Sequence, residues 1–218
     1  MTIDTAKRPS LTGIKLGADP QAWAAAGFTI SGHALAVGGV TIEFTAPLGG
    51  IECLVFDHLP EGVTDIDGLP AEVGPAIGDT DHENGVYSID QVVIATPEFD
   101  RTAQIMRDMG LGFTREAVRE TEDGTEVRQG FVRSGDAVLE VVHADNVTGE
   151  HAHGWGLGFI TADLDKAIRD LEGLIGPPRE AIQPGRRIAT IRRDANLGIP
   201  VVLMDPEQAE TDEGADKP

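Results

Sequence analysis

Two stretches of this chain carry the same order of periodicities. One opens at Ser88 with SIDQVVIA and the other at Trp155 with WGLGFIT. Short β-rich runs of this kind predict strands with at least one covered face. Each run gives way to a helix-start signal, Thr96 before Pro97 and Asp163 before Leu164. Short polar side chains hold free backbone N–H groups there, and proline suits a first helical turn. A period near 3.6 follows, with Phe99, Thr102, Met106 and Met109 on one face and Leu164, Ala167, Ile168 and Leu171 on another. Gly110 and Gly173 stand where these helices should stop. Three more strand-like runs follow each helix, at residues 112–118, 126–133 and 137–143 and at 179–183, 187–193 and 199–204, with turns at 122–124 and 134–136 in the first stretch. The expected fold is α+β, built from tandem βαβββ modules.

A shorter copy precedes them. Residues 11–18, 34–37, 40–45 and 51–56 are strand-like, and Asp19-Pro20-Gln21 can open a brief helix. Between Pro60 and Asn84 the glycines, prolines and acids predict a linker. The expected organisation is a disordered N-terminus over 1–10, a degenerate N-terminal βαβββ module over 11–59, a linker over 60–84, the main domain over 85–205 (modules 85–145 and 153–205) and an acidic tail over 206–218.

Charge narrows the partners. The 218 residues carry a formal net charge of −20, which repels a nucleic-acid backbone and an anionic membrane surface. No run approaches the length of a membrane helix, and no signal peptide is expected at the N-terminus. The single cysteine, Cys53, can form no internal disulfide and reads as a small buried residue, consistent with a cytoplasmic location. No Gly-rich phosphate loop, nucleophile elbow or H-E-x-x-H motif is present.

The strings VVIATPEFDRT, GLGFTRE and AVLEVVHAD, followed by GFITADLDKAI and IPVVLMDP, resemble the glyoxalase, bleomycin-resistance and extradiol dioxygenase superfamily, the vicinal oxygen chelate group. The resemblance covers residues 85–206 well and 11–59 loosely. It implies a cupped mixed sheet with a small-molecule ligand in the cup. It also implies metal ligands on the first and last strands of each module, positions that fall on Gln91, Glu140, Gly156 and Val202. Only Glu140 is an ordinary ligand for a divalent cation, and such sites take three or four donors. The expectation is therefore no metal and no cofactor, with these positions vestigial. His143, His151 and His153 read as solvent-facing loop residues.

Alternation then suggests an apolar cup holding one carboxylate and one amide, with Gln91 orienting a ligand. Glu140, without a metal, is either a possible acid/base or the partner of an arginine such as Arg128. Arg179, Arg186, Arg187, Arg192 and Arg193 cluster in an acidic chain. One parity, Arg187 with Arg193 or Arg186 with Arg192, can clamp an anion at the mouth of the cup beside Gln183; the other outcome is ordinary surface pairing. Trp155 is placed at the rim for stacking, or in a core or dimer contact. The functional expectation is a glyoxalase-like protein binding a small, anionic metabolite, with metal-independent lyase- or isomerase-like chemistry by Glu140. The alternatives are a non-catalytic sequestering protein of the bleomycin-resistance type and a metal-dependent lyase or dioxygenase. A homodimer is expected, since the short N-terminal copy has no partner within the chain.

Overall fold

The computed structural model describes residues 8–45, 49–76, 78–121 and 124–207. Most of the expected N-terminus (1–7), the turn residues 122–123 and most of the acidic tail (208–218) lie outside the described residues.

The chain begins with β1 (Leu11–Gly17), α1 (Pro20–Ala25), β2 (Ala34–Val37), β3 (Val40–Phe44) and β4 (Gly50–Phe56). The Asp19 side chain accepts from Gln21 N, and Pro20 occupies the first turn, so α1 starts where the sequence signals it. Next come β5 (Asp65–Ile66) and β6 (Leu69–Val73), both inside the expected linker. The pairing explains them: β6 runs parallel to β4 and antiparallel to β5. Likewise β3 runs parallel to β1 and antiparallel to β2, while β1 and β4 are antiparallel neighbours. β4 therefore opens a second small unit rather than closing the first. The N-terminal half contains two reduced modules, one βαββ and one of three strands without a helix.

The C-terminal half repeats this plan at full size. Its first module is β7 (Val86–Ala95), α2 (Phe99–Asp108), β8 (Arg115–Glu120), β9 (Glu126–Ser134) and β10 (Ala137–Ala144). The second is β11 (His153–Thr161), α3 (Leu164–Asp170), β12 (Arg179–Glu180), β13 (Arg187–Thr190) and β14 (Val201–Met204). β7 pairs parallel with β10, β11 pairs parallel with β14, and β7 and β11 meet antiparallel at the centre. The C-terminal strands run β12-β13-β14-β11-β7-β10-β9-β8. The halves join where Gly154 of β11 pairs with Ile51 of β4.

Helices cover one face. Leu139, Val141, Val92, Ile94, Leu157 and Phe159 are fully buried on it, beneath Phe99 and Met106 of α2 and Leu164 and Ala167 of α3. Trp23 of α1 reaches the same core, with ring centroids 5.0 Å from Phe28 and 6.1 Å from Phe159, and its Nε1 donates to Leu197 O. The β5–β6 turn is pinned at Asp67, a left-handed residue with φ 53°. Its carboxylate accepts from Arg101 Nε at 2.6 Å and Thr102 Oγ1 at 2.6 Å, and its backbone carbonyl accepts from Ala152 N. Among the described residues, the opposite face of the C-terminal sheet carries no helix.

Candidate functional site

On a sheet, directly opposed residues point to the same side, so the register defines what the helix-free face presents. One row crosses four strand junctions: Arg115 opposes Phe131, Phe131 opposes Glu140, Glu140 opposes Val93 and Val93 opposes Gly156. The next row runs Arg133, Val138, Gln91, Gly158, Val202 and Thr190. Arg128, of opposite parity, confirms the sidedness: its guanidinium lies 4.0 Å over the Phe99 ring of α2. The face thus brings together Gln91, Glu140, Gly156 and Val202, four positions singled out in the sequence.

Glu140 is the chemical centre of this face. It is 5% exposed, and its Oε1 accepts a short hydrogen bond from Gln129 Nε2. Gln129 Oε1 in turn accepts from Arg119 Nε at 3.1 Å. Arg119 therefore fixes the amide so that its NH2 points at the carboxylate. The second carboxyl oxygen, Oε2, has no partner among the described residues. Burial pushes the Glu140 carboxyl above the usual carboxylate range; the Gln129 hydrogen bond and the charges of Arg119 and Arg115 work against that rise, and Asp90 adds to it. Arg128 does not pair with Glu140, because it points to the helix side and binds Asp100 and Glu116.

Gln91 is half-buried beside Gly158. A Cβ at Gly158 would stand 3.0 Å from Gln91 Cγ and 3.4 Å from Val202 Cγ2, so glycine is what lets both side chains lean across the centre. At Gly156 a Cβ would stand 2.8 Å from the Pro200 carbonyl oxygen.

The arginine cluster divides by parity. Arg187 points to the helix side, where it binds Asp165 of α3 and Asp205, which raise its pKa well above that of a free arginine. Arg186, of the other parity, is buried; its Nη2 binds Asp90 at 3.1 Å and its Nε donates to Asp205 O. The expected strand over 187–193 ends at Thr190, so Arg192 and Arg193 leave the sheet. Arg192 Nε donates to Ile175 O, and Arg193 opens a 3-10 turn. Gln183 sits in the β12–β13 loop and offers its backbone oxygen to Arg186 N. Trp155 is 52% exposed at the β11 bulge between Gly154 and Gly156. His143 bonds Thr96 O, His151 is exposed and His153 begins β11.

Arg115, Arg119, Gln129 and Phe131 were not singled out in the sequence. Their signal was present: positions 115, 117 and 119 and positions 127, 129, 131 and 133 alternate onto one face. Only the register of three strands shows that it is the face of Glu140.

The metal-ligand positions implied by the family resemblance offer one carboxylate, one amide and two residues without a donor. This set does not fit a divalent cation. Among the described residues no group of three or more His, Cys, Asp or Glu side chains could hold one. No described helix is long and apolar enough to cross a membrane.

Residues 88–183 match the family model of the Glyoxalase/Bleomycin resistance protein/Dioxygenase superfamily. No curated protein matches the chain. Among solved structures, it is similar to a triple mutant of 4-hydroxymandelate synthase from Streptomyces coelicolor, with 14% identity, a TM-score of 0.65 and coverage of 94% of each chain. It is also similar to a xylose isomerase-like TIM barrel/4-hydroxyphenylpyruvate dioxygenase fusion protein, with 10% identity, a TM-score of 0.61 and coverage of 96% of this chain and 50% of that one. At these identities the likeness establishes the fold, and it spans the reduced N-terminal half as well as the matched domain.

Proposed function

We propose that this chain, whose residues 88–183 match the Glyoxalase/Bleomycin resistance protein/Dioxygenase superfamily model, binds a small, anionic metabolite on the helix-free face and uses Glu140, without a metal, as an acid/base. One observation carries the reading: a buried carboxylate lies at the centre of that face, held by one amide and with one oxygen free. Burial destabilises the charged form, which brings proton exchange closer to neutral pH. Gln91, beside it, offers an amide with no hydrogen-bond partner among the described residues, suited to orienting a ligand oxygen. Val93, Val138, Val142 and Val202 supply the apolar remainder of the surface.

The test is solvent deuterium exchange. The protein is incubated in D2O with small 2-oxo and 2-methyl carboxylic acids, and loss of the proton α to the carbonyl or carboxyl group is followed by NMR. The wild type should wash that proton out. Glu140→Gln should abolish exchange, by at least about a hundredfold for loss of a positioned base, while still binding the acid. Washout by Glu140→Gln at the wild-type rate refutes the base. If neither protein exchanges any proton but both bind, the chain is a sequestering protein and the acid/base reading fails.

A further inference from the structure

The helix-free face holds four arginines that no carboxylate of the described residues neutralises, Arg115, Arg119, Arg133 and Arg179, in a chain with a large excess of acids. Arg133 donates to Asp136 O and Arg179 stands on β12 at the far edge of the sheet, whereas Arg115 and Arg119 both lie on β8, the outermost strand of the first module. Arg115 is exposed, and its guanidinium is stacked 4.1 Å above the Phe131 ring. That stacking fixes the plane of the guanidinium and leaves its N–H edges open. Arg119 is exposed and spends only its Nε on Gln129, and its terminal nitrogens have no partner among the described residues. Arg119 leans towards Gln129, whose direct cross-strand neighbour is Ala117, and so towards Arg115.

We propose that Arg115 and Arg119 form the anion clamp of this site and that the ligand is a small carboxylate, seated with its charged end at β8 and its body over Phe131 towards Glu140. This rests on the reading of the helix-free face as the binding surface, and it names the class of ligand. The register sets the scale. Arg115 stands two strands from Glu140, about 10 Å between strand axes, and part of that span is taken up by the arginine side chain itself. A carboxylate gripped by the clamp therefore places atoms three to five bonds further on against Glu140 Oε2. Planar guanidinium edges match a carboxylate in bidentate geometry. The clamp and the acid/base are also mechanically joined, because Arg119 orients the amide that holds Glu140. Of the second module's arginines, Arg186 is held by Asp90 and Arg187 by Asp165 and Asp205, and Arg179 stands on β12, at the opposite edge of the C-terminal sheet from β8.

The test uses a charged and a neutral probe of one shape, benzoate and benzamide, titrated into isotope-labelled protein and read by amide shifts at Gln91, Glu140, Gly156 and Gly158. Benzoate should shift these amides and benzamide should not. The double variant Arg115→Gln, Arg119→Gln should weaken benzoate by at least about tenfold. Both side chains are exposed, so the variant is expected to fold, and an unchanged melting temperature checks that. The control pair Arg192→Gln, Arg193→Gln should leave benzoate binding as in the wild type. Equal shifts with benzamide, or undiminished benzoate binding by the double variant, overturn the clamp while leaving the helix-free face as the binding surface. Absence of shifts with benzoate in the wild type also overturns the clamp, and the deuterium exchange experiment judges the site separately.

Discussion

Replacing Gln129 by leucine separates the two roles of the Glu140 carboxyl, because leucine keeps the volume and removes the only donor. Gln129 and Glu140 are 6% and 5% exposed, so water cannot fully replace the lost bond. A hydrogen bond to an ionised group contributes about 1.5–3 kcal/mol and one between neutral groups about 0.5–1.5 kcal/mol. The substitution should therefore cost about 2 kcal/mol where Glu140 is ionised and about 1 kcal/mol where it is protonated. For a chain of this size that is about 4–8 °C of melting temperature at alkaline pH and about half of that in acid. The sign follows from linkage. The folded-state pKa of Glu140 is already raised, so its contribution is most favourable below the unfolded pKa and is lost as pH rises through the folded value. Gln129 lowers that pKa, so removing it raises the pKa further and widens the window of destabilisation upward. Scanning calorimetry of the wild type, Gln129→Leu, Glu140→Gln and the double variant, at the alkaline and acid ends of a pH series that brackets the Glu140 titration, completes a thermodynamic cycle. The Gln129→Leu deficit should shrink in acid and, because Glu140→Gln keeps a carbonyl acceptor but no charge, fall to the neutral-pair value of about 1 kcal/mol at either pH in that background. An equal deficit at both pH values, or strict additivity with Glu140→Gln, would show that the amide does not hold the carboxylate.

Four other outcomes are expected. Asp67→Ala leaves the buried hydroxyls of Thr96 and Thr102 without their carboxylate acceptor; it should cost about 1–3 kcal/mol and speed amide exchange in the β5–β6 hairpin, whereas unchanged exchange there would contradict the pinning. His82 Nδ1 accepts from Thr29 N at 2.9 Å, and burial lowers its pKa below 6.5. Its stabilisation should be complete above that value and fade as pH falls towards the folded pKa, giving urea midpoints that drop between about pH 7 and pH 5 in the wild type and less in His82→Leu. A Cβ on Gly154 would stand 2.3 Å from Ile51 Cβ, so Gly154→Ala should cost about 1–3 kcal/mol, and trimming Ile51 to alanine in the same chain should recover part of it in denaturant melts. Elemental analysis of the purified protein should find no stoichiometric iron, manganese, nickel or zinc, and a chelator should leave the melting temperature in place; one bound metal per chain would overturn the reading of the donor set.

Much of the fold was legible because its signals are local. Thr96-Pro97 and Asp163-Leu164 mark helices that begin within a few residues of them, with Asp163 accepting from Lys166 N, and the alternation of β7, β9, β10 and β11 is set by their own residues. The segment over 60–84 misled for a physical reason. Asp65–Ile66 and Leu69–Val73 are too short to carry a periodic signal, and their turn chemistry, Asp67-Gly68, is also what a linker shows. They are strands because β4 offers an edge to β6 and β6 in turn pairs with β5, and this pairing leaves no periodic signal within either short run.

The site was legible in its positions but not in its partners. Gln91, Glu140, Gly156 and Val202 do share one face, yet the groups around Glu140 are chosen by register, and a slip of one residue in β9 would exchange Gln129 for Arg128. The same parity argument relocates the positive charge. Charge density along the sequence favours residues 179–193, but density also attracts acids. In the folded chain Asp90, Asp165 and Asp205 hold Arg186 and Arg187 of the dense cluster, while Arg115 and Arg119 on β8 have no carboxylate partner among the described residues. In an acidic protein the arginine left without a carboxylate is more informative than the cluster, because folding has brought nothing to neutralise it. On this face Arg115 and Arg119 are such residues, on the edge strand nearest the buried Glu140, whereas the buried arginine of the second module, Arg186, is already paired with Asp90.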